Sequence, residues 1–125
     1  MIFDTDVIVW ASRGNVKAAR AIDATDDRAL SIVSFMELIQ GSRSKREARQ
    51  IAQSLRQLRF QILPLSERIG AMAAAIIEEH AVPHGIQVAD ALIAATAIET
   101  GHSLCTANIK HFRPVGKLTL EAFRP

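Results

Sequence analysis

MIFDTDVIVW (residues 1–10) opens the chain and sets the carboxylates of Asp4 and Asp6 inside a run that is otherwise apolar. An unpaired charge in such a setting shifts its pKa or recruits a counter-charge. The stretch makes physical sense if Met1 to Phe3 is a minimal buried strand that ends in Asp4, with a helix following at once. Asp6 reads as the N-cap of that helix, which runs through Ser12 and is closed by Arg13-Gly14-Asn15.

Outward from this opening, helical and extended signals alternate. Val16, Ala19 and Ile22 repeat at helical spacing, and residues 29–33 (ALSIV) read as a second strand. Ser34 is placed to cap a helix that stops at Gly41. A long helix spans Ser44 to about Arg59, followed by a third strand over 60–64. Ser66-Glu67 opens a helix that includes Ala71 to Glu79 and ends at Val82-Pro83 and Gly85. An Ala-rich helix covers 88–100 and is closed by Gly101. A fourth strand follows at 102–106 and a fifth at 118–120. Strands separated by helices make a parallel α/β sheet covered on both faces. In such sheets the ligand sits beyond the C-terminal ends of the strands, at the topological switch point.

Composition narrows the class. At 125 residues the chain is one domain (1–125), and 49% hydrophobic content suffices for a core. Aromatics make up only 5%, so that core is built from Ala, Ile, Leu and Val. A lone Cys105 excludes an intramolecular disulfide and a Cys-rich zinc knuckle, and reads as a small core residue. His80 and His84 have a zinc-like spacing without a third ligand nearby. No apolar run approaches the ~20 residues of a membrane span and no signal peptide is present, so the expectation is a soluble cytoplasmic protein with no membrane association. A formal charge of +2 permits a polyanionic partner without requiring one.

Three acids fall at the predicted C-terminal edge of the sheet within apolar contexts: Asp4 in IFDTDVI, Glu37 in SFMELIQG and Asp90 in VADALIAATA. Asp6 aside, the remaining acids lie among polar residues or at element ends. Carboxylates converging in one cleft repel one another unless a cation joins them. An all-oxygen donor set favours Mg²⁺ or Mn²⁺ over zinc. Such ions serve phosphodiester cleavage by activating water and stabilising transition-state charge. Singly, each acid also has a structural explanation, as a cap, an exposed helix residue or a first-turn acid favoured by the helix dipole.

IFDTDVIVW, SFMELIQG, QVADALIAATAIETG and LCTANIKHF, in that order and spacing, resemble the PIN-domain ribonucleases, specifically the VapC-like toxins of type II toxin–antitoxin modules. The resemblance spans nearly the whole chain. It implies a PIN-like three-layer α/β/α sandwich with a short parallel central sheet, and Mg²⁺-dependent (or Mn²⁺-dependent) cleavage of RNA. It further implies a cognate antitoxin that blocks the acidic cleft, and a homodimer of the toxin. Carried over, Asp4, Glu37 and Asp90 are the catalytic, metal-binding positions. Thr5 and Thr106 hold the acidic pocket through their hydroxyls, and Gly41 matches a small residue at the turn after Glu37. Where many relatives carry a fourth acid this chain has Asn108, or His111 in another form of the motif; Asn108 is then a water-orienting group beside one well-held ion. Position 6 is usually a helix-capping Asn or Ser.

The helix from Ser44 gathers Ala48, Ile51, Ala52, Leu55 and Leu58 on one face and Lys45, Arg46, Arg49 and Arg56 on the other. That basic side reads either as a solvated face or as a phosphate-binding wall, with Arg46, Arg49, Lys110 and Arg113 as candidate RNA contacts. Two other classes remain open at this level. A haloacid-dehalogenase-like phosphohydrolase also begins with a strand ending in Asp-x-Asp, but needs a later lysine and a paired acidic motif, for which the chain offers only Lys110 and Asp90. A catalytically weak PIN domain acting as a binding module is the non-enzymatic alternative, with Asn108 as its lesion.

Overall fold

The computed structural model describes residues 1–125. Its elements run β1 (Ile2–Phe3), α1 (Thr5–Ser12), α2 (Val16–Asp23), β2 (Ala29–Ser31), α3 (Ile32–Gln40), α4 (Lys45–Gln57), β3 (Gln61–Leu63), α5 (Glu67–His84), α6 (Val88–Thr100), β4 (Leu104–Thr106), α7 (Ile109–Phe112) and β5 (Leu120–Ala122). All strands pair in parallel, in the order β3-β2-β1-β4-β5. Strand order reverses between β1 and β4, so the chain leaves those two neighbours in opposite directions and opens a crevice at their C-terminal ends.

The three central strands are short and buried because both faces of the sheet are covered. Successive side chains point to opposite sides. Ile2, Ala29 and Leu104 join a core with Ile69, Ala73, Ile76 and the alanines of α6. Phe3, Leu30 and Cys105 join a second core with Val7 and Ile8 of α1, Ile22 of α2, Leu55 of α4 and Phe60. Phe3 and Phe60 meet edge to face at 5.8 Å. This is the three-layer α/β/α arrangement expected from the sequence, with a short parallel sheet between two helical layers.

Boundaries differ from the sequence reading at informative places. Asp4, not Asp6, caps α1: its Oδ1 accepts from Thr5 N at 2.8 Å, and Asp6 lies inside the first turn. The second strand ends at Ser31, whose hydroxyl accepts from Val33 N, so α3 starts well before the point that a Ser34 cap implies. Ser34 is instead fully buried within the helix. Helix α5 continues through Pro83 to His84 and ends at Gly85 in the left-handed region (φ 71°). A proline in the last turn removes one intrahelical bond, which the rest of a long packed helix tolerates. The short α7 carries no periodic signal that four residues could reveal. No helix is long and apolar enough to cross a membrane.

Packing of α6 under the sheet gives a direct test. Ile93 is 1% exposed in the first core, whereas Val82 is 96% exposed on α5. Ile93→Ala is expected to lower stability by about 2–5 kcal/mol, and Val82→Ala by less than about 0.5 kcal/mol. Urea unfolding with an unchanged m-value checks both.

Candidate active site

The crevice between β1 and β4 collects the acids. Asp4 ends β1 and is 6% exposed. Its Oδ2 accepts from the Thr106 hydroxyl at 2.7 Å, a bond that joins residues 102 apart in sequence. Thr106 Oγ1 in turn accepts from Asn108 N at 2.9 Å. Beside this tie, Ala107 N donates to Asp6 Oδ2 at 3.2 Å, while Asp6 Oδ1 is buried with no hydrogen-bond partner. Asp90 occupies the first turn of α6. His111 Nδ1 lies 3.8 Å from Asp90 Oδ2 and accepts from the Asn108 amide at 2.8 Å.

Electrostatics follow from this crowding. Burial, and then the Asp6 charge, push the Asp4 carboxyl up to about 7, against the opposing bonds from Thr106 and Thr5. Asp6 is raised chiefly by burial, with Asp90 adding repulsion and the Ala107 and Val7 backbone opposing it. Burial also raises Asp90, while the Gln87 backbone and His111 work the other way. The Cys105 thiol, buried in the adjoining strand, rises to about 11 and is unreactive.

Glu37 reaches the cluster through Thr5, whose hydroxyl donates to Glu37 Oε1 at 2.8 Å. Gly41 caps the same helix, and a Cβ there would stand 3.3 Å from the Glu37 carbonyl oxygen. As the side chains stand, no three His, Cys, Asp or Glu residues close a ready-made metal cage. The donor set nevertheless fits a hard divalent cation: carboxylates dominate, one buried carboxylate oxygen lacks any partner, and Asp4 and Asp6 each face a like charge. Read locally, Asp6 is a cap and stands outside the site. The signal that includes it is the Asp-x-Asp spacing, which on a helix starting at residue 5 keeps both acids at one end. His111 is likewise visible in the sequence only as a departure from a motif. Asn108 and Thr106 flank the crevice; Lys110 is exposed on α7 and Arg113 just after it, and Arg46 and Arg49 are both exposed in the first turns of α4. His80, buried on α5 with its ring 5.5 Å from that of His84, gains no third ligand.

A PIN-domain family model matches residues 1–118. The chain belongs to the PIN-domain family. Ribonuclease VapC10 of Mycobacterium tuberculosis is 37% identical over 117 residues, covering 90% of this chain and 85% of that protein. A toxin–antitoxin complex from Klebsiella pneumoniae contains a chain 25% identical, with TM-score 0.79 over 94% of each chain. The VapBC2 structure from Rickettsia felis, 24% identical, shares the fold at TM-score 0.81 over 99% of this chain and 100% of its own. Membership of the PIN family sets aside the haloacid-dehalogenase alternative, whose Asp-x-Asp serves a nucleophile.

The raised Asp4 pKa fixes a sign. The folded state holds a proton there that the unfolded chain releases near 3.8, so this contribution is full below 3.8 and is lost as pH rises through about 7. In metal-free buffer, Asp4→Asn is therefore expected to melt within about a degree of the parent at pH 4. At pH 8 it should melt several degrees higher. Thermal melts of both proteins across that range check it; parallel curves would make Asp4 a simple cap.

Proposed function

We propose that this PIN domain is a metal-dependent endoribonuclease of the toxin class, held inactive by a cognate antitoxin. The observation that carries the reading is the acidic cluster at the β1/β4 crevice, Asp4 buried with Asp6 and Asp90 half-buried beside it, all three carboxyls raised by burial and those of Asp4 and Asp6 also by neighbouring charges, in a chain 37% identical to a ribonuclease. Buried like charges destabilise a fold, and perturbed carboxylates in a cleft mark sites kept for chemistry.

Asp4, Glu37 and Asp90 are the residues assigned to Mg²⁺ or Mn²⁺. When bound, such an ion lowers the pKa of a water and neutralises charge building on the phosphoryl oxygens. The chain's own groups do the rest. Thr106 orients Asp4 and Thr5 orients Glu37, each through one hydroxyl. Thr5, Thr106 and Asn108 are the groups assigned to positioning water around the acids. Lys110 and Arg113, on and just beyond α7 past the Asn108 lip, are suited to the flanking phosphates, with Arg46 and Arg49 of α4 as a more distant wall.

For the antitoxin, a groove of about 930 Å³ between α1, α2 and α4 offers an apolar floor that includes Ile8, Ile22, Leu38 and Phe60, with Arg13 and Arg43 also lining it. Helices α1 and α3, which line this groove, also carry Thr5, Asp6 and Glu37. A segment seated there thus has a short path to the acidic cleft. That Klebsiella neighbour is itself a toxin–antitoxin complex, which supports this assignment of the partner. A homodimer belongs to the same reading.

RNA cleavage in Mg²⁺ or Mn²⁺ should fall by orders of magnitude in Asp4→Asn, Glu37→Gln and Asp90→Asn, and vanish with a chelator. Retained cleavage in all three variants overturns the site assignment. For the basic wall, Arg46→Ala with Arg49→Ala in the Asp90→Asn background should flatten the slope of log binding constant against log salt by about 1.4 on single strands, or roughly 0.7 for each phosphate that goes unneutralised. Filter binding of RNA over a salt series measures it, and an unchanged slope returns α4 to a solvated face.

A further inference from the structure

Two oxygens of one side chain carry an inference that deepens the metal-dependent reading and rests on it. Asp6 lies in the first turn of α1, where a carboxylate gains from the helix dipole. That gain, together with the bond from Ala107 N to Oδ2, accounts for one oxygen. It does not account for the other. Oδ1 is buried and unpartnered, at a cost that a protein normally avoids or satisfies. A helix acid with no further role would turn its free oxygen to water.

The surroundings of the carboxylate are acidic. Asp6 lies close enough to Asp4 and to Asp90 for each pair to repel, so its carboxylate belongs to the same cluster. On the opposite lip, Asn108 gives its backbone N–H to Thr106 and its side-chain amide to His111. That lip contributes no carboxylate at 108. We infer that Asp6 is a metal ligand in its own right, the fourth carboxylate of the site, contributed from α1 rather than from the segment after β4. Ala107 N holds the carboxylate by Oδ2 and leaves Oδ1 for the cation. A fourth carboxylate raises the negative charge that holds the ion, and ligand charge count is a main determinant of affinity for hard divalent cations.

Titration of the full-length protein with Mn²⁺ alone, by calorimetry, tests this without any activity readout. The set comprises the parent, Asp4→Asn, Asp6→Asn, Asn108→Asp and the double variant Asp6→Asn/Asn108→Asp, with metal-free melts of each. Asp6→Asn keeps a side-chain oxygen for Ala107 N, so its metal-free melt should equal or exceed that of the parent. Its Mn²⁺ affinity should fall about tenfold or more, and its Mn²⁺-induced rise in melting temperature should shrink. The double variant should recover most of the lost affinity by restoring the carboxylate from the other lip. Three results overturn the inference: parent-like Mn²⁺ affinity in Asp6→Asn while Asp4→Asn binds weakly; a lower metal-free melt for Asp6→Asn, with unchanged affinity, which makes Asp6 structural; or no recovery in the folded double variant. Failure of the underlying reading looks different, since then the parent itself does not bind Mn²⁺, or Asp4→Asn binds as the parent does.

Discussion

The hydrogen bond from the Thr106 hydroxyl to Asp4 Oδ2, 2.7 Å long and buried, is the constraint on which the site depends. It ties the end of β1 to the end of β4 where the chain turns away in two directions. Asp4 also caps α1 through its other oxygen, so the same carboxylate fixes where that helix begins. Thr106 is occupied on both sides, donating to Asp4 and accepting from Asn108 N, which leaves its rotamer no freedom. Helix entry, loop path and acid orientation are thus one interaction rather than three.

Against that tie stands the repulsion of the acids it gathers. Burial raises Asp4, Asp6 and Asp90 alike, and the neighbouring charges add to the effect at Asp4 and Asp6. The fold offsets part of this with helix N-termini. Asp4 caps α1, Asp6 lies in its first turn, and Asp90 lies in the first turn of α6, where the Gln87 side chain makes no capping bond. Partial positive charge at those termini and the backbone N–H groups of Thr5 and Ala107 favour the ionised forms. At Asp4 these opposing contacts do not suffice, and its carboxyl stays raised to about 7.

Alternation along three short strands divides the remaining work. One face of the sheet, with Ile2 and Leu104, packs against α5 and α6 as a closed layer. The other, with Phe3 and Cys105, packs against α1, α2 and α4, and the helices there leave an open groove. Small side chains at Ala91, Ala94, Ala95 and Ala97 let α6 lie close to its neighbours. Asp90, at the start of that rigid helix, is positioned by the closed layer, whereas Thr5 and Asp6 are positioned by the helix that also lines the groove. A partner bound in the groove therefore acts on the α1 side of the acid cluster first.

The sequence by itself determined the layer order and the helix types, because residues such as Val88 to Thr100 or Lys45 to Gln57 carry patterns long enough to specify a helix and its apolar face. Composition and spacing also single out Asp4, Glu37 and Asp90, since a carboxylate inside an apolar run is unusual wherever it occurs. Choices of one or two residues are not legible locally. Asp4 and Asp6 are equally good caps by residue type, and only the bond from Thr106, arriving from 102 residues away, assigns the cap to Asp4 and turns Asp6 inward. Ser31 and Ser34 pose the same ambiguity, resolved by the pairing of β2 with β3 through Ser31. The contact of His111 with Asp90 depends on the meeting of α7 and α6, which no local pattern encodes. Local periodicity sets which elements form; which side chains meet across the crevice is decided by long-range pairing, because those energies arise only once the sheet has assembled.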